Sequence, residues 1–248
     1  SMGPFPPRLL AGAVLFSDGK NTASDYFGRI MLVIGLTGTI GSGKSEVARV
    51  LQCAGVPVIS SDEVAHTIME NDPDVIAALR ARFGDTIISS PGTLNRQRLA
   101  ALVFGPTAEH RANRQFIEQL VHPRVLEQIA DQLRRLEEEG HALAVVESAL
   151  IYSAGIEELF DYVVAVVAPE ALRRERLRKR GMSDTDFEYR QQQQVSDDFL
   201  RAHADFVITN EGTLEDLKRA TMTVLAMLRS LPPRPVVLPT EHNEKMDR

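Results

Sequence analysis

Five short apolar runs rich in β-branched residues recur along the chain, at 32–37, 56–60, 142–147, 162–167 and 206–209. Each is apolar almost without alternation, the pattern of a strand covered on both faces, and stretches of helical spacing separate them. The pattern predicts an α/β fold built on a doubly wound, parallel, five-stranded sheet. Between the second and third runs lie about 80 residues, far more than one crossover helix requires, so a segment is inserted there. Within it the spacing predicts helices over 74–83, 96–104 and 108–135, with His122-Pro123 breaking or kinking the last. A second insertion, 170–203, crowds Arg173, Arg174, Arg176, Arg178, Lys179 and Arg180 into one stretch. The plain structural role of such a run is a solvated helix face.

The ends differ in character. Residues 1–30 carry Pro4, Pro6, Pro7, Gly12, Gly19 and Gly28 without a sustained period and read as a loosely ordered extension. The apolar run 9–16 behind Arg8 is too short and too weakly basic for a signal peptide. Pro232, Pro233, Pro235 and Pro239 end helical structure, and 229–248 reads as a tail. The strand-bearing core then comprises 31–61, 140–169 and 204–228, interrupted by the insertions 62–139 and 170–203.

Composition narrows the class. With 44% hydrophobic and 25% charged residues over 248 positions, the chain is neither collagenous, nor a coiled-coil rod, nor wholly disordered. Its net charge of −6 and the lack of a basic stripe interleaved with aromatics argue against a nucleic-acid partner. No apolar run reaches the 18 or so residues of a spanning helix, so no membrane role is expected. A single cysteine, Cys53, forbids an internal disulfide and points to a reducing, cytoplasmic setting. Its plain role is that of a small buried apolar residue.

One motif carries chemistry. Gly38-Thr39-Ile40-Gly41-Ser42-Gly43-Lys44-Ser45 satisfies G-x-x-x-x-G-K-[ST], and it follows a predicted strand and opens a predicted helix, the context that a phosphate loop demands. Glycines let the backbone wrap phosphates closely, successive N–H groups and the helix N-terminus supply positive charge, and Lys44 bridges the β- and γ-phosphates. Ser45 is then the Mg²⁺ ligand. The loop implies a nucleoside triphosphate, and no N-K-x-D guanine reader follows the later strands, so a GTPase loses its usual support. Asp62, just after the second strand, falls on the sheet edge where open α/β folds place ligands, and a carboxylate there can orient a hydroxyl and take its proton. An N-cap for a helix starting near Glu63 is its alternative role, and the two are compatible. Glu147, ending the third strand on the same edge, is a candidate for Mg²⁺ directly or through water. Arg176 and Arg180, four residues apart on one helix face, are chosen from the basic run to neutralise the transferred group.

At this point the chain resembles the dephospho-CoA kinase family over roughly residues 31–228, by the same motif-in-context test. The resemblance rests on Ile34-Gly35-Leu36-Thr37 with the phosphate loop, the aspartate-bearing strand end 58–66, and Phe83-Gly84. It continues through Gly92-Thr93-Leu94-Asn95-Arg96 with Leu99 and Phe104, then Asn113 with His122-Pro123, and Gly155 before Leu159-Phe160-Asp161. Arg176-Leu177, Arg180-Gly181, Gln194, Ala204-Asp205 and Asn210-Glu211-Gly212 complete it. It implies a P-loop core of the nucleoside-monophosphate-kinase type, a CoA-binding insertion at 62–139 and a lid at 170–203. It further implies ATP-dependent phosphorylation of a ribose 3′-hydroxyl, with Asp62 as general base and Lys44 and Arg176 on the phosphates. ATP would meet Thr39, Ile40, Gly41, Ser42, Gly43, Lys44, Ser45, Glu46 and Arg180, with Asn210 and Gly212 near the adenine. Arg96 and His122 fall on the dephospho-CoA side.

Four departures stand out. Ser60-Ser61-Asp62 replaces the common Asp-x-Asp, Thr39 replaces a frequent glycine, Glu46 replaces a frequent threonine, and Tyr152-Ser153 follow Ala149-Leu150-Ile151 where a glutamate is usual. The glutamine run 191–194 reads as an exposed lid helix, of which only Gln194 matches the family position.

Overall fold

A computed structural model describes residues 31–89, 93–105 and 107–234. The expected extension 1–30, Gly92 and the tail beyond 234 lie outside them. The central strand β1, Leu32–Gly38, is buried at all seven positions. On one side it pairs in parallel with β5, Leu143–Glu147, and beyond that lies β2, Val58–Ser60. On its other side come β6, Tyr162–Val167, and β7, Phe206–Thr209, also parallel. The order β2-β5-β1-β6-β7 is the expected doubly wound sheet. A two-residue hairpin that the hydrophobic pattern did not announce, β3 (Ile88–Ser89) with β4 (Thr93–Leu94), lies in the first insertion.

Alternate residues of these strands serve two different cores, which is why the runs lack polar alternation. Val33, Ile59, Ala144 and Val146 pack with the first insertion. That insertion contributes α2 (Ser61–Asn71), α3 (Pro73–Phe83), α4 (Arg96–Val103) and α5 (Ala108–Glu138). Leu32, Ile34, Leu36, Val145, Val164 and Val166 face the opposite layer, made with α1 (Lys44–Cys53) and α9 (Leu214–Leu228). The second insertion folds as α6 (Glu170–Arg178), α7 (Asp184–Gln191) and α8 (Asp197–His203).

Three expectations are corrected. First, of the break or kink expected at His122-Pro123, the break does not occur: α5 continues through Pro123. Proline removes one helical hydrogen bond and crowds the carbonyl four residues back, but Val121, Val125 and Ile129 pin the turns on either side into the core. Arg124 reinforces the spot: its Nη1 donates to Leu120 O (3.0 Å) and its Nε to Asp72 Oδ2 (3.1 Å). Second, Cys53 is exposed, because it is the last residue of α1, after the buried Val47, Ala48, Val50 and Leu51. Third, the expected tail from 229 is docked as far as 234. Tyr162 Oη donates to Pro232 O (3.1 Å), and the Arg234 guanidinium lies 4.3 Å from the Tyr162 ring centre and bonds Asp205.

That docking rests on two carboxylates at the start of the strands. Asp161, only 3% exposed, accepts from the N–H of Val33 (2.7 Å) and of Arg234 (3.0 Å), and Asp205 accepts from Val163 N–H (2.8 Å). Removing such an acceptor leaves buried donors without partners. Asp161→Ala is expected to lower the unfolding free energy by about 2 kcal/mol in urea titration, with unchanged stability as the contrary result.

Candidate active site

The chain leaves β1 at Gly38, bends, and enters α1 at Lys44. Gly43 has φ of 100°, and a Cβ there would sit 2.2 Å from Asn210 Nδ2, so both conformation and space require glycine. Ser42 N–H closes the bend on Thr39 O (3.0 Å). Among the described residues, the N–H groups of Gly41, Gly43, Lys44 and Ser45 donate to no protein acceptor. They crown the N-terminus of a ten-residue helix, where the backbone favours an anion.

The sheet register brings the acidic partner to this bend. Glu147 at the end of β5 pairs with Leu36 on one side and Ser60 on the other. Its Oε1 accepts from Ser45 Oγ (3.1 Å) and lies 3.6 Å from Lys44 Nζ, with both charged side chains 13% exposed. The residues predicted for phosphate and Mg²⁺ are thus brought together: the Lys44 ammonium beside two hard oxygen donors, Ser45 Oγ and Glu147 Oε1, of the kind that Mg²⁺ prefers. Asp62 begins two residues after Ser60, in the first turn of α2. The cap of that helix is Ser60, whose Oγ accepts from Glu63 N–H (3.4 Å), so Asp62 does not serve as the N-cap. Its carboxylate is exposed and, among the described residues, bonded to no side chain.

The basic run divides sharply. Arg174 bonds Glu170, Asp184 and Glu188, Arg178 bonds Asp184, and Lys179 bonds Glu175, as a solvated face would. Arg176 and Arg180 form no ion pair among the described residues. Arg176 Nη2 donates to both O and Oδ1 of Asn210 (3.2 Å each), while its Nη1 is buried without a partner among the described residues. Loss of solvent, and then the like charge of Arg180, hold the Arg176 guanidinium below its ordinary pKa. An anion arriving here would relieve both. Arg173 is different again: 5% exposed, it donates from Nε to Ala168 O (3.0 Å) and from Nη1 to Ile40 O (3.2 Å) in the bend.

Several predicted nucleotide contacts are committed elsewhere. Thr39 Oγ1 donates to Asp197 Oδ1 (2.7 Å), and Ile40 N–H donates to Gln194 Oε1 (2.7 Å). Glu46 N–H bonds Gly43 O (3.0 Å), and its side chain pairs with Arg49, which holds the carboxyl below the usual range. Asn210 is 7% exposed and donates from Nδ2 to Ser42 O (2.7 Å), so its side chain braces the bend and Arg176 together. Gly212 is exposed in the turn before α9. Arg96 donates from Nε (2.9 Å) and Nη2 (2.5 Å) to Glu70 Oε1, near the far end of α2, the helix whose first turn holds Asp62. Eight residues separate Asp62 from Glu70, about 12 Å of helix. His122 lies on α5, where desolvation pushes its imidazole below the usual histidine range. Neither Arg96 nor His122 bonds the bend.

Arg173, Gln194 and Asp197 were not singled out for the site. Gln194 lies beyond the end of α7, so it does not belong to an exposed lid helix. No periodicity marks these residues; the signals in the sequence are the place of Arg173 in the basic run and the match of Gln194 to the family pattern.

Known proteins give this geometry a family. The profile of the dephospho-CoA kinase family matches residues 32–216. The dephospho-CoA kinase of Corynebacterium glutamicum is 39% identical over 197 residues, covering 79% of this chain and 99% of that protein. The dephospho-CoA kinase of Salinibacter ruber is 40% identical over 190 residues, covering 76% and 94%. Among solved structures, TT1252 from Thermus thermophilus superposes with a TM-score of 0.68 at 33% identity, covering 81% of this chain and 99% of that one. The dephospho-CoA kinase from Campylobacter jejuni, at 21% identity and a TM-score of 0.57, shares the fold. With a phosphate loop, an acidic partner and a buried arginine already assembled around one bend, these matches establish that the chain belongs to the dephospho-CoA kinase family.

Proposed function

We propose that this protein transfers the γ-phosphoryl group of ATP to the ribose 3′-hydroxyl of dephospho-CoA, giving CoA and ADP, with Lys44, Asp62 and Arg176 carrying the step. The observation that supports this most directly is the cluster of Lys44, Ser45 and Glu147 beside four N–H groups that bond no acceptor among the described residues. Phosphoryl transfer asks little covalent chemistry of the protein and much positioning and charge stabilisation, which such a cluster provides.

In this reading the amides of Gly41, Gly43, Lys44 and Ser45 hold the phosphates, while Thr39, Ile40, Ser42 and Glu46 shape the loop and the first helical turn. Lys44 exchanges Glu147 for phosphate oxygens. Ser45 would hold Mg²⁺, with Glu147 reaching it through water, and the ion would neutralise phosphate charge. Asp62, whose carboxylate bonds no side chain among the described residues, lies on the same sheet edge, where it orients the 3′-hydroxyl and accepts its proton. It does so without a second carboxylate, since Ser60 is occupied as a helix cap. The orphan Nη1 of Arg176 meets the transferred group, with Arg180 beside it and Asn210 and Gly212 flanking the nucleotide. The first insertion, with Arg96 and His122, takes dephospho-CoA. Arg96 must leave Glu70 to meet an anion, and His122, its protonation disfavoured by desolvation, acts as a neutral hydrogen-bonding group. Residues 170–203 form the lid, and the single cysteine fits a cytoplasmic setting.

In a coupled assay of ADP release, turnover is expected to require both dephospho-CoA and Mg²⁺. ADP formation no greater than ATP hydrolysis by the protein alone would reject the acceptor. Lys44→Ala is expected to reduce kcat by at least about 100-fold, because it removes preorganised charge at the phosphates. Asp62→Asn should lower kcat while leaving the KM for ATP within about twofold, and an equal loss in affinity would remove Asp62 from the proton-accepting role.

A further inference from the structure

The bend between β1 and α1 is closed by one internal hydrogen bond, Ser42 N–H to Thr39 O, and its first residues are braced from elsewhere in the chain. Both polar groups of Ile40 are engaged by the second insertion: its N–H donates to Gln194 Oε1 (2.7 Å) and its carbonyl accepts from Arg173 Nη1 (3.2 Å). The preceding hydroxyl, Thr39 Oγ1, donates to Asp197 Oδ1 (2.7 Å). Asp197 Oδ2 in turn lies 3.7 Å from Arg173 Nε, whose side chain is 6% exposed. Thr39 is itself 4% exposed. A single residue pair at the start of the loop is therefore held by three side chains that lie more than 130 residues later in the chain.

From this geometry we infer that Gln194 and Asp197 are positioning residues for ATP: they fix the Thr39–Ile40 stretch and so aim the amides from Gly41 to Ser45 at the phosphates. The inference rests on the reading that ATP phosphates occupy this loop. Neither side chain needs to touch nucleotide. Without Gln194 the Ile40 N–H loses its acceptor, and the bend can turn it away from the lid base, carrying the next amides off their aim. Thr39 supplies a hydroxyl strap that a glycine at this position cannot supply. The same contacts tie the base of the lid segment to the loop, so order in one favours order in the other.

The effect belongs to ATP binding and not to the acceptor. Gln194→Leu and Asp197→Ala are each expected to raise the Kd for ATP about tenfold, the equivalent of one lost hydrogen bond. The KM for dephospho-CoA and kcat at saturating ATP should stay within about twofold of the parent. Asp197→Asn, which keeps an acceptor oxygen for Thr39, should restore most of the ATP affinity lost in Asp197→Ala. Thermal melting of each variant without ligand checks that it folds. Parent-like ATP affinity in both disruptive variants overturns the inference while leaving the loop reading intact. So does an equal change in both substrates' KM, or failure of the asparagine to rescue. A parent protein that binds no ATP overturns both.

Discussion

The structure depends on a short bend whose backbone must do two opposite things. On one side it leaves N–H groups without an acceptor among the described residues, as an anion site requires, and on the other it must satisfy the peptide groups that the fold buries. The second requirement is met from a distance. Asn210, at the end of β7, caps Ser42 O, while Arg173 and Gln194 take the carbonyl and N–H of Ile40. A bend braced in this way loses little freedom when phosphate arrives, and its dipoles need not reorganise as charge develops.

The sheet makes that bracing possible. Because β1 lies between β5 and β6, whatever follows β1 is flanked by whatever follows its neighbours. Glu147 follows from β5 and reaches Ser45 and Lys44, while the 170–203 segment follows from β6 and delivers Arg173 and Arg176. Asn210 comes from the next strand out. The carboxyl edge of a parallel sheet thus gathers residues from four separate stretches of chain, which is why ligands settle there.

Local rules made much of this legible. Strands covered on both faces announce themselves as uninterrupted apolar runs, and all five were found at 32–37, 56–60, 142–147, 162–167 and 206–209 to within two residues. The loop was legible because one compact motif holds its glycines, lysine and serine. Glu147 could be placed by its position at a strand end. What escaped prediction was decided by contacts across the fold. Pro123 reads as a breaker until Arg124 and the buried valines hold the helix together, and Asp62 reads as a cap until Ser60 takes that place. Gln194 looks like any polar residue in a glutamine run, and only the folded chain puts its carbonyl oxygen on Ile40. Cys53 reads as apolar filler because composition does not say where a helix ends relative to its core.

The claim at the centre of this account is that the amides of Gly41, Gly43, Lys44 and Ser45, and not that of Ile40, receive the phosphates. Two-dimensional amide spectra of ¹⁵N-labelled protein titrated with ATP and Mg²⁺ test it directly. The four loop resonances are expected to move together with the binding curve while Ile40, held by Gln194, moves least. ATP binding that leaves those four resonances in place, or that shifts Ile40 more than any of them, would contradict it.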